Sequence, residues 1–133
     1  MLYNGHEEET LKKQDFVVRF AGEGGQGVVT SAEGLAQAMA QSGYHVQTFS
    51  TFPSQIRGGP TWTQTRIATE TVLSPGDELD VLVAFNEDAY KNHKDDVAFD
   101  GVIVYNQGEF EIDAGDDALG MDFDELAKQT GNN

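Results

Sequence analysis

The sequence predicts an α/β protein built on an open, mostly parallel sheet with helices on both faces. Three observations carry this reading. Residues 15–21 (DFVVRFA) are almost continuously apolar and rich in β-branched and aromatic side chains, as suits a strand covered on both sides. Four glycines follow within residues 22–27, and from Val28 the apolar positions switch to helical spacing. Two later runs, 80–85 (DVLVAF) and 101–105 (GVIVY), again read as strands buried on both faces.

Taken in order, residues 1–14 are polar and read as a flexible lead-in or linker, leaving 15–133 as one domain. In the first helix Val28, Ala32, Leu35, Ala36 and Met39 share a face, and Gly43 supplies the stop. Residues 45–52 return to strand character, so strand, turn, helix and strand form a βαβ unit whose crossover is expected to be right-handed. Residues 53–60 hold two prolines and two glycines and read as a loop. The alternating run 61–69 (TWTQTRIAT) is a strand with one partly wet face, and 74–77 is a turn. A short helix over 87–94 is expected after the 80–85 strand. Residues 106–121 read as turn-rich around a short strand at 110–112, and Asp122 or Asp124 caps a last helix. The sum is a Rossmann-like three-layer arrangement. Such a sheet normally covers its last strands with another full-length helix, so the domain is expected to be truncated at its C-terminus or to continue beyond it.

Composition bounds the chemistry. At 133 residues and 38% hydrophobic content the chain is one globular domain rather than a disordered polyelectrolyte. It has no cysteine, which excludes disulfides, thiolate nucleophiles and Cys-held zinc or iron–sulfur clusters on this chain. No apolar run approaches a membrane span and the first residues lack the pattern of a signal peptide, so a cytoplasmic location and no membrane partner are expected. The net charge of −15 argues against nucleic acid. That charge is lopsided: residues 70–133 carry 17 acids and three bases, residues 1–69 six acids and five bases. An anionic ligand therefore meets least opposition in the first half. The acidic half reads as a solvated surface.

Two loops in that half carry candidate chemistry. Gly22, Gly24 and Gly27 match G-x-G-x-x-G between a strand and a helix, where unpaired main-chain N–H groups and the helix dipole favour a phosphate or carboxylate. The alternative is that the glycines serve only a tight turn and close packing. A nicotinamide dinucleotide site would also want an acid near the end of the second strand, and none lies between Glu33 and Glu70. NADP binding through Arg57 stays open. The second loop, with Arg57, Gly58 and Gly59, is expected at the carboxyl edge of the sheet beside the first; its guanidinium suits phosphate, and the alternative is an exposed arginine in a turn. His6, His45 and His93 are scattered, with His93 expected on a short exposed helix. Thr30 and Ser31 have no evident base, and Asp95-Asp96 and Asp116-Asp117 read as solvated charge. Trp62 faces a partner or packs in the core. No catalytic residue and no metal site emerges, which leaves a binding or assembly unit.

Residues 20–67, with GEGGQGVVT after a strand, then GYHVQTF, then PSQIRGGP and a strand carrying Arg66, closely resemble the γ-type domain of 2-oxoacid:ferredoxin oxidoreductases. The likeness runs on through SPGDELDVLVAFNEDAYKNHKDDV and DGVIVYN, and is nearest the form that begins a 2-oxoglutarate-type α subunit. The resemblance implies a noncatalytic part of a complex that oxidatively decarboxylates a 2-oxoacid to an acyl-coenzyme A. Thiamine diphosphate and [4Fe–4S] clusters would sit on partner subunits, with electrons passing to ferredoxin. By position, Gly22, Gly24, Gly25, Gln26 and Gly27 would form the glycine turn of a coenzyme A site. Arg57, Gly58 and Gly59 would form its second loop. The rival readings are an NADP-binding oxidoreductase domain and a pure assembly module.

Overall fold

The computed structural model describes residues 15–51, 60–71, 76, 78–113 and 115–129. Its six strands are β1 (Asp15–Glu23), β2 (His45–Thr51), β3 (Pro60–Ala68), β4 (Leu79–Ala84), β5 (Val97–Asn106) and β6 (Leu119–Met121). The helices are α1 (Val28–Gln41), α2 (Glu87–His93) and α3 (Phe123–Gln129), with a 3₁₀ turn at Lys94–Asp96. The strands form one open sheet in the order β2-β3-β1-β4-β5-β6.

The sheet is mixed rather than wholly parallel. β1, β4, β5 and β6 pair in parallel, whereas β3 is antiparallel to both β1 and β2. The strands of the expected βαβ unit do run the same way, but β3 is inserted between them. This fits the composition of β3: a strand with antiparallel neighbours tolerates Thr and Gln, and Thr61, Thr63, Gln64 and Thr65 are all buried there.

Alternation along β1 divides the core. Val18 and Phe20 point to one face, where they meet Val28 and Ala32 of α1, Ile67 and Phe85, with Phe123 of α3 packed alongside. Val17 and Ala21 point to the other face, joining Leu79, Leu82, Ala84 and the α2 residues Ala89 and Tyr90. Helices therefore lie on both faces, as the pattern predicts.

The expected elements need three corrections. β5 begins at Val97, four residues earlier than the sequence reading, because its first turn of strand is partly exposed and includes Phe99 and Asp100 on the surface. Residues 110–112 are not a strand. Phe110 and Ile112 pack onto the core from irregular chain, with the Phe110 ring 5.3 Å from that of Tyr105, and the edge strand is β6 instead. Asp116 is not simply solvated: it accepts a 2.6 Å hydrogen bond from the Tyr90 hydroxyl and lies 3.7 Å from the Lys94 ammonium. Burial first and the Asp116 bond second push the Tyr90 pKa upward, so the phenol stays protonated and donates.

Candidate functional site

The glycine turn leaves the carboxyl end of β1 where the sheet changes direction of growth. From β1 the chain passes through α1 towards β2; from the adjacent β4 it passes through α2 to β5 on the opposite side. The crevice outside the carboxyl ends of β1 and β4 is thus a topological switch point, where open α/β sheets bind ligands.

The turn residues divide into those that build it and those that leave donors exposed. Gly22, buried at the end of β1, has no space for a side chain: a Cβ there would lie 2.7 Å from Gln26 Oε1, 2.8 Å from Phe85 Cβ and 3.0 Å from Val28 Cγ2. Gln26 folds inward. Its Oε1 accepts the Glu23 N–H at 2.8 Å and the Asn86 side-chain amide at 3.0 Å, while its own N–H donates to the Glu23 carbonyl at 3.1 Å. The predicted ligand residue Gln26 is therefore a brace across the switch point. Asn86 is its counterpart, since its Oδ1 also accepts from the Ala89 N–H at 2.8 Å and caps α2.

Gly25 and Gly27 are exposed and adopt positive φ of 93° and 89°, with open space where a Cβ would stand. Gly24 is exposed in the same turn. Gly27 is the N-cap of α1 and brings no capping side chain, and no acid occupies the first helical turn. The first helical bond is Ser31 N–H to the Gly27 carbonyl at 2.9 Å. The main-chain N–H groups of Gly25, Gly27, Val28, Val29 and Thr30 have no acceptor among the described residues. They mark the end of a 14-residue helix whose dipole places partial positive charge there.

Of these residues Gly25 lines a cleft of about 630 Å³, together with Gln26, Ser31, Phe20, Val83, Val104, Met121 and Phe123. Asn106 forms part of its floor; its Oδ1 accepts the Phe123 N–H at 3.1 Å and so fixes the start of α3. Glu109 and Asp124 also line the cleft.

Arg57, Gly58 and Gly59 lie outside the described residues. Their anchors do not: Pro60 pairs with Glu23 and Thr51 with Trp62, so the 52–59 segment starts and ends at the edge that carries the glycine turn. Arg66 sits at the other end of β1, engaged by Asp15 through two bonds of 2.9 and 2.7 Å.

Beside Gly22, on the α2 face, is a smaller cavity of about 180 Å³ lined by Thr51, Trp62, Asn86 and His93 among others. His93 is half-buried here, not exposed as its helix suggested. Arg19 donates to its Nδ1 at 2.8 Å, to Asp96 at 2.7 Å and to Gln64 at 2.8 Å, and stacks 4.6 Å over Trp62. Because a guanidinium can only donate, His93 accepts through Nδ1 and is held neutral. Burial, and then the Arg19 charge, lower its pKa from the usual 6.5 against a smaller opposing effect of Asp96. Trp62 is thereby a packing residue at the core margin. Sequence reasoning missed this cluster because Arg19 and His93 are 74 positions apart. Asn86 was better signalled, as an Asn followed at once by two acids is an N-cap pattern.

Among the described residues, no group of three His, Asp or Glu is placed to hold a metal ion, and no helix is long and apolar enough to cross a membrane.

Comparison with known proteins places this geometry in a family. The model of the pyruvate ferredoxin/flavodoxin oxidoreductase family matches residues 17–133. Ketoisovalerate oxidoreductase subunit VorA of Methanothermobacter thermautotrophicus is 36% identical over 116 residues, covering 86% of this chain and 24% of that protein. Pyruvate synthase subunit PorC of the same organism is 37% identical over 103 residues, covering 71% of this chain and 55% of that one. Among solved structures, the 2-oxoglutarate:ferredoxin oxidoreductase of Magnetococcus marinus, determined with 2-oxoglutarate, coenzyme A and succinyl-CoA bound, superposes with a TM-score of 0.77 at 36% identity. It covers 90% of this chain and 22% of that one. The γ subunit of a keto/oxoacid ferredoxin oxidoreductase from Geobacter sulfurreducens shares the fold, with a TM-score of 0.73 at 21% identity over 89% of this chain and 66% of that one. The chain spans about a quarter of the ketoisovalerate relative it matches. With a glycine turn at the switch point of a mixed sheet and a family match over nearly all its length, this chain belongs to the pyruvate ferredoxin/flavodoxin oxidoreductase family.

Proposed function

We propose that the chain is the γ-type part of a 2-oxoacid:ferredoxin oxidoreductase, noncatalytic in itself, and that its glycine turn receives the phosphates of coenzyme A. The observation that carries the proposal is the row of main-chain donors at Gly25, Gly27 and Val28 to Thr30 that have no acceptor among the described residues, with no side-chain cap and no acid in the first helical turn. A pyrophosphate is the group such donors suit, since it supplies several acceptors and the negative charge that a helix N-terminus favours. The cleft of about 630 Å³ has room for an organic moiety beyond the phosphates, and its apolar floor matches a largely uncharged one. The relative solved with coenzyme A bound supports the same ligand class.

On this reading each residue of the turn has a role. Gly25 and Gly27 supply the positive φ of the turn; Gln26 and Asn86 hold it in shape; Gly22 keeps it packed against Phe85. Arg57, flanked by Gly58 and Gly59 in the segment between Thr51 and Pro60, would add a guanidinium to the phosphates. Oxidative decarboxylation, with its thiamine diphosphate and iron–sulfur chemistry, belongs to companion subunits: with no cysteine, this chain offers no thiolate to a cluster. Ferredoxin would be met through the whole complex.

Calorimetric titration with coenzyme A and NADPH in parallel tests the reading. Coenzyme A is expected to bind and NADPH not. Gly27→Ala, which forces an ordinary residue into the left-handed region at a cost of roughly 1–2 kcal/mol, is expected to weaken coenzyme A binding about tenfold or more. Preferential NADPH binding would favour a nicotinamide domain, and no binding of either by chain or assembly would leave a packing module.

A further inference from the structure

Positions 34–69 contain none of the 23 acidic residues of the chain. The described part of that stretch comprises most of α1, the edge strand β2 and the interior strand β3. Gly34, Gln37, Ala38 and Gln41 on α1, then Tyr44, then Thr48 on β2, are all exposed. Since α1 packs across β1, β3 and β2, the flank of the helix adjoins the edge of the sheet.

That edge is open. β2 pairs with β3 on one side and with no strand on the other among the described residues. Exposed edge strands are usually blunted by lysine, proline, an inward charge or a bulge. The seven residues of His45–Thr51 have none of these, and their register against β3 is unbroken. Lack of charge at the centre of a surface is the compositional mark of a protein interface. In a chain of net charge −15 the contrast is informative, because 17 of the acids fall in residues 70–133 and none in the 36 positions of 34–69.

The charge also selects the occupant. A second copy would bring two chains of −15 together, which opposes pairing of identical molecules. We infer that another polypeptide of the oxidoreductase assembly docks on this face, presenting a low-charge surface and an extended segment that pairs with the free edge of β2. The inference rests on the functional reading above and names the surface and the mode of contact.

Hydrogen exchange on the chain alone and on the assembly formed with its companion subunits tests it. Slowed exchange at positions 34–51 on assembly is expected. The variants Thr48→Asp and Ala38→Glu, both at exposed positions, should weaken assembly about tenfold or more while Gln107→Glu, an added charge in the acidic half, leaves it unchanged. An assembly that forms with 34–51 still fast-exchanging, or that ignores both variants, overturns the inference and leaves the functional reading standing. Failure to assemble at all overturns both. Self-association of the isolated chain through this face would assign it to a second copy and overturn the choice of partner.

Discussion

Single residues in the turn differ in why they are what they are, and substitutions separate the reasons. At Gly22 the obstacle is contact, since an added methyl meets Phe85 Cβ at 2.8 Å. Gly22→Ala is therefore expected to lower stability by about 1–3 kcal/mol, the usual cost of overpacking, read from urea unfolding. Gly25 and Gly27 have free space, so their requirement is the backbone angle alone. His93 carries a pH signature. Its pKa is lowered in the folded chain, so the unfolded state takes up the proton first as pH falls. Stability contributed at this position is complete above about pH 6.5 and declines as pH drops through that value towards the folded pKa. In His93→Asn, where an amide oxygen can accept from Arg19 but cannot titrate, that decline should vanish. Equal pH dependence of variant and parent between pH 7.5 and 5.5 would show that the ring is not held neutral.

At the scale of elements, the turn and α2 are joined through one amide pair. Asn86 caps α2 through the Ala89 N–H and donates to Gln26, which in turn accepts the Glu23 N–H. Loss of the cap in Asn86→Ala is expected to cost about 1–2 kcal/mol. Because Gln26 shares the network, a double-mutant cycle with Gln26→Ala should return a coupling of about 0.5 kcal/mol or more; additive losses would mean the turn does not depend on α2. The elements also show what was legible in advance. β1, the glycine turn and α1 were read to within two residues, because period, glycine and cap are local signals. β6 has three residues and the first part of β5 is largely solvent-exposed, so neither has the apolar run that marks a strand. Phe110 and Ile112 mimicked a strand because they are core residues carried by irregular chain.

For the whole molecule, the α/β class was legible and the order of the strands was not. Nothing local in 61–69 says that it will insert between β1 and β2; that pairing matches Glu23 with Pro60 and Thr51 with Trp62 across the fold. The candidate site was half legible. The glycines were found from their spacing, but the inward role of Gln26 depends on Asn86, 60 positions away. The partition of charge was visible from the start and gains meaning in the structure, where the acid-free part of the chain includes the β2 edge and the outer flank of α1.

The amides at the start of α1, which have no acceptor among the described residues, are proposed as a receptor for phosphate. Titration of the ¹⁵N-labelled chain with coenzyme A, followed amide by amide, tests it most directly. Saturable shifts at Gly25, Gly27, Val28, Val29 and Thr30, reproduced by inorganic pyrophosphate at higher concentration, are the predicted result. Unmoved resonances at these five positions in the presence of bound coenzyme A would contradict it.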